Sequence, residues 1–172
     1  NIFGSGFNLN VTIRKGPGAF VCGEETALIA SMGGKRGMPQ SKPPFPAERG
    51  FHKKPTVVNN VETLSNVAHI VKHGNEWFRN LGDDENCGTK IFSVSGRARN
   101  TGLVEVPMGA NLDRLVHEIV GGSREGHSLK AVHIGGPYGS IIPAEMMNMD
   151  ISYDTFNRKG AVLGAGGILA LD

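Results

Sequence analysis

The first half of this sequence contains three groups of side chains whose types and spacing suit binding chemistry. They are a carboxylate pair, a cation close to an aromatic residue on a proline-rich loop, and an amide pair: Glu24 and Glu25, Lys42 and Phe45, Asn59 and Asn60. Carboxylates and amides exchange hydrogen bonds with polar ligand edges, and an aromatic ring can stack on a planar group. Each group also has a purely structural interpretation.

The carboxylate pair stands at the start of a predicted helix. Residues 27–32 have helical character, and Gly33 with Gly34 is a typical helix end. Carboxylates in a first turn are stabilised by the positive end of the helix dipole, and this role alone would account for Glu24 and Glu25. In the alternative interpretation, one of the two points outward and accepts hydrogen bonds from a ligand.

The loop that follows, residues 35–54, is long and rich in Pro, Gly and basic residues. Loops of this length are usually functional, although an ordinary surface excursion is the alternative. Its prolines favour an extended backbone, and Phe45 stands between two of them. Phe45 therefore suits stacking on a planar ring, but on residues alone its insertion into the domain core is the favoured interpretation.

The amide pair opens a second predicted helix, which Gly74 ends. Asn59 as N-cap with Glu62 three residues later fits a capping box. A helix start also offers free N–H groups to an anionic or polar ligand edge. Helical spacing predicts a buried stripe, which comprises Val61, Leu64, Val67, Ala68 and Val71. His69 and His73 are four residues apart, but no third ligand is near, so we predict no metal site.

Composition excludes several function classes. A net charge of +2 over 172 residues gives no field that favours nucleic acid or a membrane surface. Two distant cysteines, Cys22 and Cys87, indicate a reducing compartment and cannot form an iron–sulfur site. The sequence has no 18-residue apolar run that would predict a transmembrane helix, and its start has no signal-peptide pattern. Because it also lacks an initiator Met, we expect a piece of a longer polypeptide.

The remaining pattern predicts an α/β part followed by an α+β part, with a boundary between residues 1–86 and 87–172. Strands are predicted for residues 9–15, 89–98, 103–107, 129–134 and 167–171. The second and third of these form a hairpin, which is followed by a helix over residues 112–120. The apolar face of that helix comprises Leu112, Leu115, Val116 and Ile119. This order is that of a β-grasp module. No G-x-G-x-x-G motif is present, so a Rossmann fingerprint is absent.

Several long motifs then give a resemblance in collinear order. F-V-C-G-E-E-T-A-L, G-K-R-G-M-P, K-P-P-F-P and K-P-T-V-V-N-N-V-E-T-L resemble the NADH-binding flavoprotein subunit of respiratory complex I. Homologous subunits occur in NAD(P)-reducing hydrogenases and NAD-dependent formate dehydrogenases. The later G-T-K-I-F-S-V-S-G, N-T-G-L-V-E-V-P-M-G and L-G-A-G-G-I-L-A-L-D resemble the soluble-ligand-binding β-grasp (SLBB) domain of that subunit. The resemblance covers nearly the whole chain.

The resemblance implies cofactor-binding roles for nine residues and a catalytic acid or base at none. Glu24 and Glu25 match glutamates beside FMN and the nicotinamide, and Gly23 matches a glycine that lets the backbone approach the flavin. Lys42 matches a lysine that hydrogen-bonds the dinucleotide, and Phe45 a phenylalanine that stacks on adenine. The segment that lines FMN is matched by Val58, Asn59, Asn60 and Thr63. Phe20 departs from a tyrosine often found there, so a hydroxyl near the flavin is missing.

The implied reaction is hydride transfer from NADH to FMN, followed by electron transfer to iron–sulfur clusters, including a 4Fe-4S cluster. The resemblance also implies an FMN-phosphate segment before Asn1 and a Cys-rich cluster domain after Asp172. We therefore expect these residues alone to bind FMN weakly or not at all. Implied partners are other subunits of a cytoplasmic or peripheral complex, without nucleic acid or membrane insertion. As an alternative, residues 88–172 are an interaction module that docks subunits without redox chemistry.

Overall fold

A computed structural model describes residues 1–172, which separate into two compact units. The N-terminal unit is Asn1–Leu64 and the C-terminal unit is Ser65–Asp172. The fold class is mixed α/β with one five-stranded mixed sheet. The domain boundary after Asn86 stays a prediction. None of the helices has the length and apolar character needed to cross a bilayer.

The N-terminal unit is built from short helices and contains no strand. It holds the helices α1 (Glu25–Met32) and α2 (Pro46–Arg49), the start of α3 (Val61–His73), and the 3-10 turns Ile2–Gly4, Phe20–Gly23 and Phe51–Lys53. Helix α1 begins and ends as predicted, with Gly33 as its C-cap. The strand predicted for residues 9–15 is wrong, because these residues pair with no other segment. Their apolar side chains are exposed to solvent.

Helix α3 forms where it was predicted, but its first residue and its packing differ. The side chain of Asn60 accepts the N–H of Glu62 at 2.8 Å, so Asn60, rather than Asn59, caps the helix. Gly74 follows the last turn, as predicted. The predicted buried stripe is wrong: Val61 is 79% exposed and Val71 is 81% exposed, and α3 has no buried residue. Periodicity marks an apolar face, and here no segment of the chain buries that face.

The sheet of the C-terminal unit has the order β2-β1-β5-β3-β4. Its strands are β1 (Thr89–Gly96), β2 (Gly102–Pro107), β3 (Ala131–Ile134), β4 (Ser140–Pro143) and β5 (Gly167–Leu171). Strands β1 and β5 pair in parallel, and the other pairs are antiparallel. The predicted hairpin and the strands at residues 129–134 and 167–171 are confirmed. Strand β4 was not predicted, because its short Ser-Ile-Ile-Pro segment follows a glycine-rich turn with no alternating pattern.

The helices of the C-terminal unit are short. They are α4 (Asn75–Arg79), α5 (Leu112–Arg114) continued by a π-helical turn (Leu115–Ile119), and α6 (Tyr153–Arg158), with 3-10 turns at Gly136–Tyr138 and Ala144–Met146. Leu112, Leu115 and Val116 are buried, as predicted for one helical face. Ile119 is exposed, because the wider π turn rotates it off the face that a 3.6-residue period predicts.

The core of this unit lies between the helical segment 112–119 and one face of the sheet. Alternation along β1 buries Phe92 and Val94, and the paired strand β5 contributes Ile168 and Ala170. The core also includes Phe156 of α6. Because side chains alternate between the two faces of a strand, these residues form one continuous apolar layer.

Candidate functional site

The Glu24 side chain forms the N-cap of α1. Its Oε2 atom accepts the N–H groups of Thr26 and Ala27, each at 2.9 Å, and also the Thr26 hydroxyl. The hydroxyl bond is the main reason that the pKa of Glu24 lies below its ordinary value, and it outweighs the opposing effect of partial burial. Capping of α1 is therefore a sufficient structural role for Glu24, one of the two carboxylates.

Lys42 binds both carboxylates at the start of α1. Its Nζ donates to Oε1 of Glu25 and lies 3.5 Å from Oε1 of Glu24. The hydrogen bond to Glu25 is the main cause that raises the pKa of Lys42. Because all three side chains are about one-third exposed, solvent screens the pairs and they add little stability. An ammonium group has three N–H donors, so at least one remains for a ligand.

A backbone contact places the proline-rich loop beside α1. The N–H of Gln40 donates to the Thr26 hydroxyl at 2.8 Å, two residues before Lys42. Thr26 is buried, and its hydroxyl therefore links the Glu24 cap to the loop. The peptide bonds before Pro43 and Pro44 are both cis. Thr26 was not predicted from the sequence as part of this site, although a hydroxyl residue in a first helical turn is a usual sign of local side-chain bonding.

Phe45 is not part of a core. It is 51% exposed and precedes α2, where its N–H donates to Oε2 of Glu48 at 3.3 Å. The favoured interpretation from the residues alone, insertion into the domain core, is therefore wrong. Prolines on both sides keep Phe45 out of any longer helix or strand, which leaves a large part of its ring open to solvent.

Gly23 closes the 3-10 turn Phe20–Gly23, directly before the Glu24 cap. A Cβ atom placed on Gly23 would meet no atom within 4 Å, so open space lies in front of its backbone. The same residue lines a cavity of about 580 Å³, together with Cys22 and with Leu28 and Met32 of α1.

Val58 and Asn59 line a second cavity, of about 770 Å³, on the same helix. Leu28 and Met32 line both cavities, so the two cavities adjoin the same face of α1. Asn60 uses its side-chain oxygen for the α3 cap and leaves its amide N–H groups without a protein acceptor. Thr63 is exposed on the first turn of α3.

The structure brings some of the predicted residues together and leaves others apart. Glu24, Glu25 and Lys42 touch directly, and Gly23 precedes them in the chain. Val58 and Asn59 line a cavity that shares Leu28 and Met32 of α1 with the cavity lined by Gly23. The remaining three predicted residues form no hydrogen bond or ion pair with the side chains of Glu24, Glu25 and Lys42: Phe45, Asn60 and Thr63. The cofactor roles of all nine residues stay predictions.

The structure contains no group of three or more His, Cys, Asp or Glu side chains that could hold a metal ion. His69 and His73 instead stack with nearly parallel rings, at 6.4 Å between centroids. Trp77 lies 5.0 Å from the His73 ring. Both cysteines are free thiols.

Comparison with known proteins identifies similar chains. Residues 4–69 match the family Complex1_51K, described as the Nuo51 FMN-binding domain. Over 172 residues, the chain is 46% identical to the NADP-reducing hydrogenase subunit HndC of Solidesulfovibrio fructosivorans, covering 100% of this chain and 35% of that protein. It is also 46% identical to a subunit of the NADH-quinone oxidoreductase of Rhizobium meliloti (strain 1021), covering 99% of this chain and 41% of the relative.

A solved structure agrees with these similarities. The NAD⁺-reducing [NiFe]-hydrogenase in its H₂-reduced state matches 91% of this chain and 26% of its own chain, with 40% identity and a TM-score of 0.76. The chain spans about 35 to 41% of the length of the curated relatives it matches. The resemblance of the chain to flavoprotein subunits of complex I and of NAD(P)-reducing hydrogenases is confirmed by these matches.

Proposed function

We propose that this chain, which is similar to NADH-binding flavoprotein subunits, supplies residues that contact FMN and NADH in an NADH:acceptor oxidoreductase. The observation that carries the proposal is the group formed by Glu24, Glu25 and Lys42 immediately after the open backbone of Gly23. Bound FMN would supply a two-electron acceptor for a hydride from NADH and a one-electron donor to iron–sulfur clusters. The protein contributes binding, orientation and charge.

The residues present fit a flat, polar cofactor. The space in front of Gly23 suits close approach of a ring to the backbone, as a side chain there would prevent it. Asn60 has amide donors free for a polar edge. Val58 and Asn59 line the cavity that adjoins the same face of α1, and Thr63 presents an exposed hydroxyl on the first turn of α3.

Lys42 and Phe45 suit the dinucleotide. Glu24 is occupied as a helix cap, so Glu25 is the carboxylate with an oxygen free to accept hydrogen bonds from a ligand. Lys42, held by Glu25, keeps at least one N–H donor for the dinucleotide, and charge-assisted hydrogen bonds of this kind are strong. The half-exposed ring of Phe45 is available for stacking on a planar base.

The sheet of the C-terminal unit supports its assignment as a β-grasp domain. A hairpin (β1–β2), a crossing helical segment and a parallel β1–β5 pair at the centre of the sheet are the arrangement expected of that fold. We assign residues 87–172 to this SLBB-like domain and residues 1–86 to the FMN- and NADH-binding domain. The names of the similar proteins do not favour the alternative, an interaction module without redox chemistry.

We assign the 4Fe-4S cluster to a part of the parent protein outside these residues, because two cysteines cannot supply four thiolates. The partners proposed are the other subunits of a multi-subunit NADH dehydrogenase or hydrogenase. The names of the two relatives differ in nucleotide, so specificity for NADH over NADPH is part of the proposal to be tested.

A chimera tests this function directly. The 172 residues replace the matching segment of the Rhizobium meliloti relative, and oxidation of NADH is followed with ferricyanide as acceptor. We expect the chimera to retain FMN and to oxidise NADH. In the same background, Lys42→Gln should raise the KM for NADH roughly tenfold, as expected for loss of one charge-assisted hydrogen bond. Lys72→Gln, which changes an exposed cation on α3 that lines none of the cavities around α1, should leave KM unchanged.

A chimera that binds FMN but does not oxidise NADH would contradict the proposal. If the chimera does not fold, NADH titration of the 172-residue chain, followed by amide NMR shifts, replaces it. We then expect shifts at Glu25, Lys42 and Phe45 that Lys42→Gln weakens. Shifts confined to other residues would overturn the assignment.

A further inference from the structure

A third cavity in the N-terminal unit is lined by none of the nine residues assigned to FMN or NADH. Its volume is about 460 Å³, within the usual range for small-molecule sites. Its floor is apolar and comprises Ile29 and Ala30 of α1 with Pro44, Pro46 and Phe51. A cavity with this floor can hold the organic part of a ligand.

The ionisable side chains that line this cavity are all basic. Lys35, Arg49, His52 and Lys53 line it, and no carboxylate does. The three cations Lys35, Arg49 and Lys53 form no ion pair. Three nearby carboxylates are engaged elsewhere: Glu24 and Glu25 bind Lys42, and Glu48 accepts the Phe45 N–H. Like charges concentrated at a concave surface attract an anion.

Two of the basic residues that line the cavity adopt an unusual backbone. His52 has a φ of 52° and Lys53 a φ of 60°, in the left-handed region that non-glycine residues seldom occupy. Such strain persists only where the surroundings hold it, and it is concentrated at functional sites. Here it turns two consecutive basic residues toward one cavity.

Hydrogen bonds hold this strained turn in place. The Gly50 N–H donates to the Lys54 carbonyl at 2.8 Å, and the Lys53 N–H donates to the Gly50 carbonyl at 3.0 Å. The Thr56 hydroxyl accepts the Phe51 N–H at 2.8 Å and donates to the Lys54 carbonyl at 2.9 Å. The positions of His52 and Lys53 at this cavity are therefore fixed by the fold of residues 50–56.

We propose that this basic cavity, formed by α1, α2 and the turn at residues 50–54, binds a small phosphate-bearing molecule separately from the NADH site. Arg49 provides a planar donor pair suited to phosphate oxygens, and Lys53 and Lys35 add point charges. The apolar floor contacts the organic part of the molecule. Anion binding in this cavity relies on the cations that line it, and neither Lys42 nor Phe45 lines it.

Inorganic pyrophosphate is the probe, and its binding to the 172-residue chain is measured by calorimetry at low salt. We expect one site, weakened at least fivefold by Arg49→Gln and by Lys53→Asn. Asn tolerates left-handed backbone, so the second variant keeps the turn intact. Lys54→Gln is the matched control, because Lys54 adjoins the turn but does not line this cavity. It should leave the affinity unchanged.

Lys42→Gln separates this site from the proposed NADH site, and it should not change pyrophosphate binding. Loss of binding in Lys42→Gln, with Arg49→Gln unaffected, would assign the anion to the NADH site and overturn the proposal. Equal weakening by Lys54→Gln and Arg49→Gln would show non-specific attraction and would also overturn it. Absence of pyrophosphate binding to the folded wild-type chain at low salt is a third contradicting result.

Discussion

The sulfur atom of Cys22 and the backbone of Gly37 are in close contact. A Cβ atom added to Gly37 would lie 2.5 Å from the Cys22 Sγ, and it would also approach the carbonyl of Ala27 at 3.6 Å. Cys22 precedes Gly23 and the Glu24 cap, and Gly37 belongs to the proline-rich loop. The contact thus joins the two segments that carry the carboxylates and Lys42, although neither residue was singled out for this site from the sequence.

Gly37→Ala should therefore destabilise the N-terminal unit. The added methyl group must displace Cys22, and overpacking of this kind costs about 1 to 3 kcal/mol. Cys22→Ala removes the sulfur, so the double variant should recover most of the loss. Urea unfolding of the four proteins measures this cycle. Gly16→Ala is the control, because open space surrounds Gly16. A Gly37→Ala protein as stable as wild type would contradict the geometry.

Removal of the α1 cap should cost about 1 kcal/mol, the typical value for a lost N-cap side chain. Glu24→Ala deletes the acceptor of the Thr26 and Ala27 N–H groups. Thermal or urea unfolding measures the loss. Glu25→Ala leaves the cap in place and serves as the control, with an expected change close to zero.

Acid should weaken the same cap. The pKa of Glu24 is lowered from its ordinary value of 4.5, chiefly by the Thr26 hydroxyl, so the folded chain binds a proton less readily than the unfolded chain. This stabilisation is complete above pH 4.5 and is lost as the pH falls through the lowered pKa. Thr26→Val should raise the pKa of Glu24, as measured by NMR titration of its side-chain carbons. An unchanged titration curve would contradict the assigned cause.

A carboxylate also organises the turn before β1. The Oδ1 atom of Asp83 accepts the N–H of Glu85 at 2.9 Å and the N–H of Asn86 at 2.5 Å. Asn86 is buried, and its side chain contacts the start of α6 by accepting the Tyr153 N–H.

Asp83→Ala should consequently destabilise the C-terminal unit by about 1 to 3 kcal/mol, since the part-buried backbone N–H and side-chain amide of Asn86 lose their acceptor. Asp84→Ala changes the exposed neighbour and should have little effect. Chemical denaturation compares the two variants. If both lose the same stability, net charge and not the Asp83 hydrogen bonds is the cause.

The turn between β3 and β4 excludes any side chain at Gly139. A Cβ atom there would lie 1.8 Å from the carbonyl oxygen of Ile134. Gly139→Ala should therefore cost at least about 3 kcal/mol and disturb the Ile134–Ser140 pairing. Gly167→Ala, where the added atom would make ordinary contacts, is the control. Unfolding curves and amide exchange of β3 measure the effect.

Sequence patterns predicted the elements that bury one face within this chain. The hairpin, the final strand and the helix that begins at Leu112 have apolar side chains that pack in a common core. For these elements, apart from Ile119, the residues that periodicity predicted to be buried are the ones that lie in the core. Residues 9–15 and the stripe of α3 show the same kind of pattern, but no segment of this chain covers them. Periodicity identifies an apolar face and does not identify what covers it.

The candidate site was predictable only in part, for a related reason. Residue types at helix starts indicated Glu24, Glu25 and Asn60. The contact of Lys42 with the carboxylates depends on the path of a 20-residue loop, which is set by the Gln40–Thr26 bond and the Cys22–Gly37 contact. Such long-range contacts have no local pattern in the sequence.

The order of strands in the sheet has a consequence for biosynthesis. Strand β5 follows the other four strands along the chain, yet it lies between β1 and β3. Until Gly167–Leu171 is translated, the β1–β2 and β3–β4 hairpins have no shared neighbour, and the nascent chain exposes both of their inner edges. A stop codon or proteolytic cut before Gly167 would thus split the sheet through its middle, whereas loss of β2 or β4 would only narrow it.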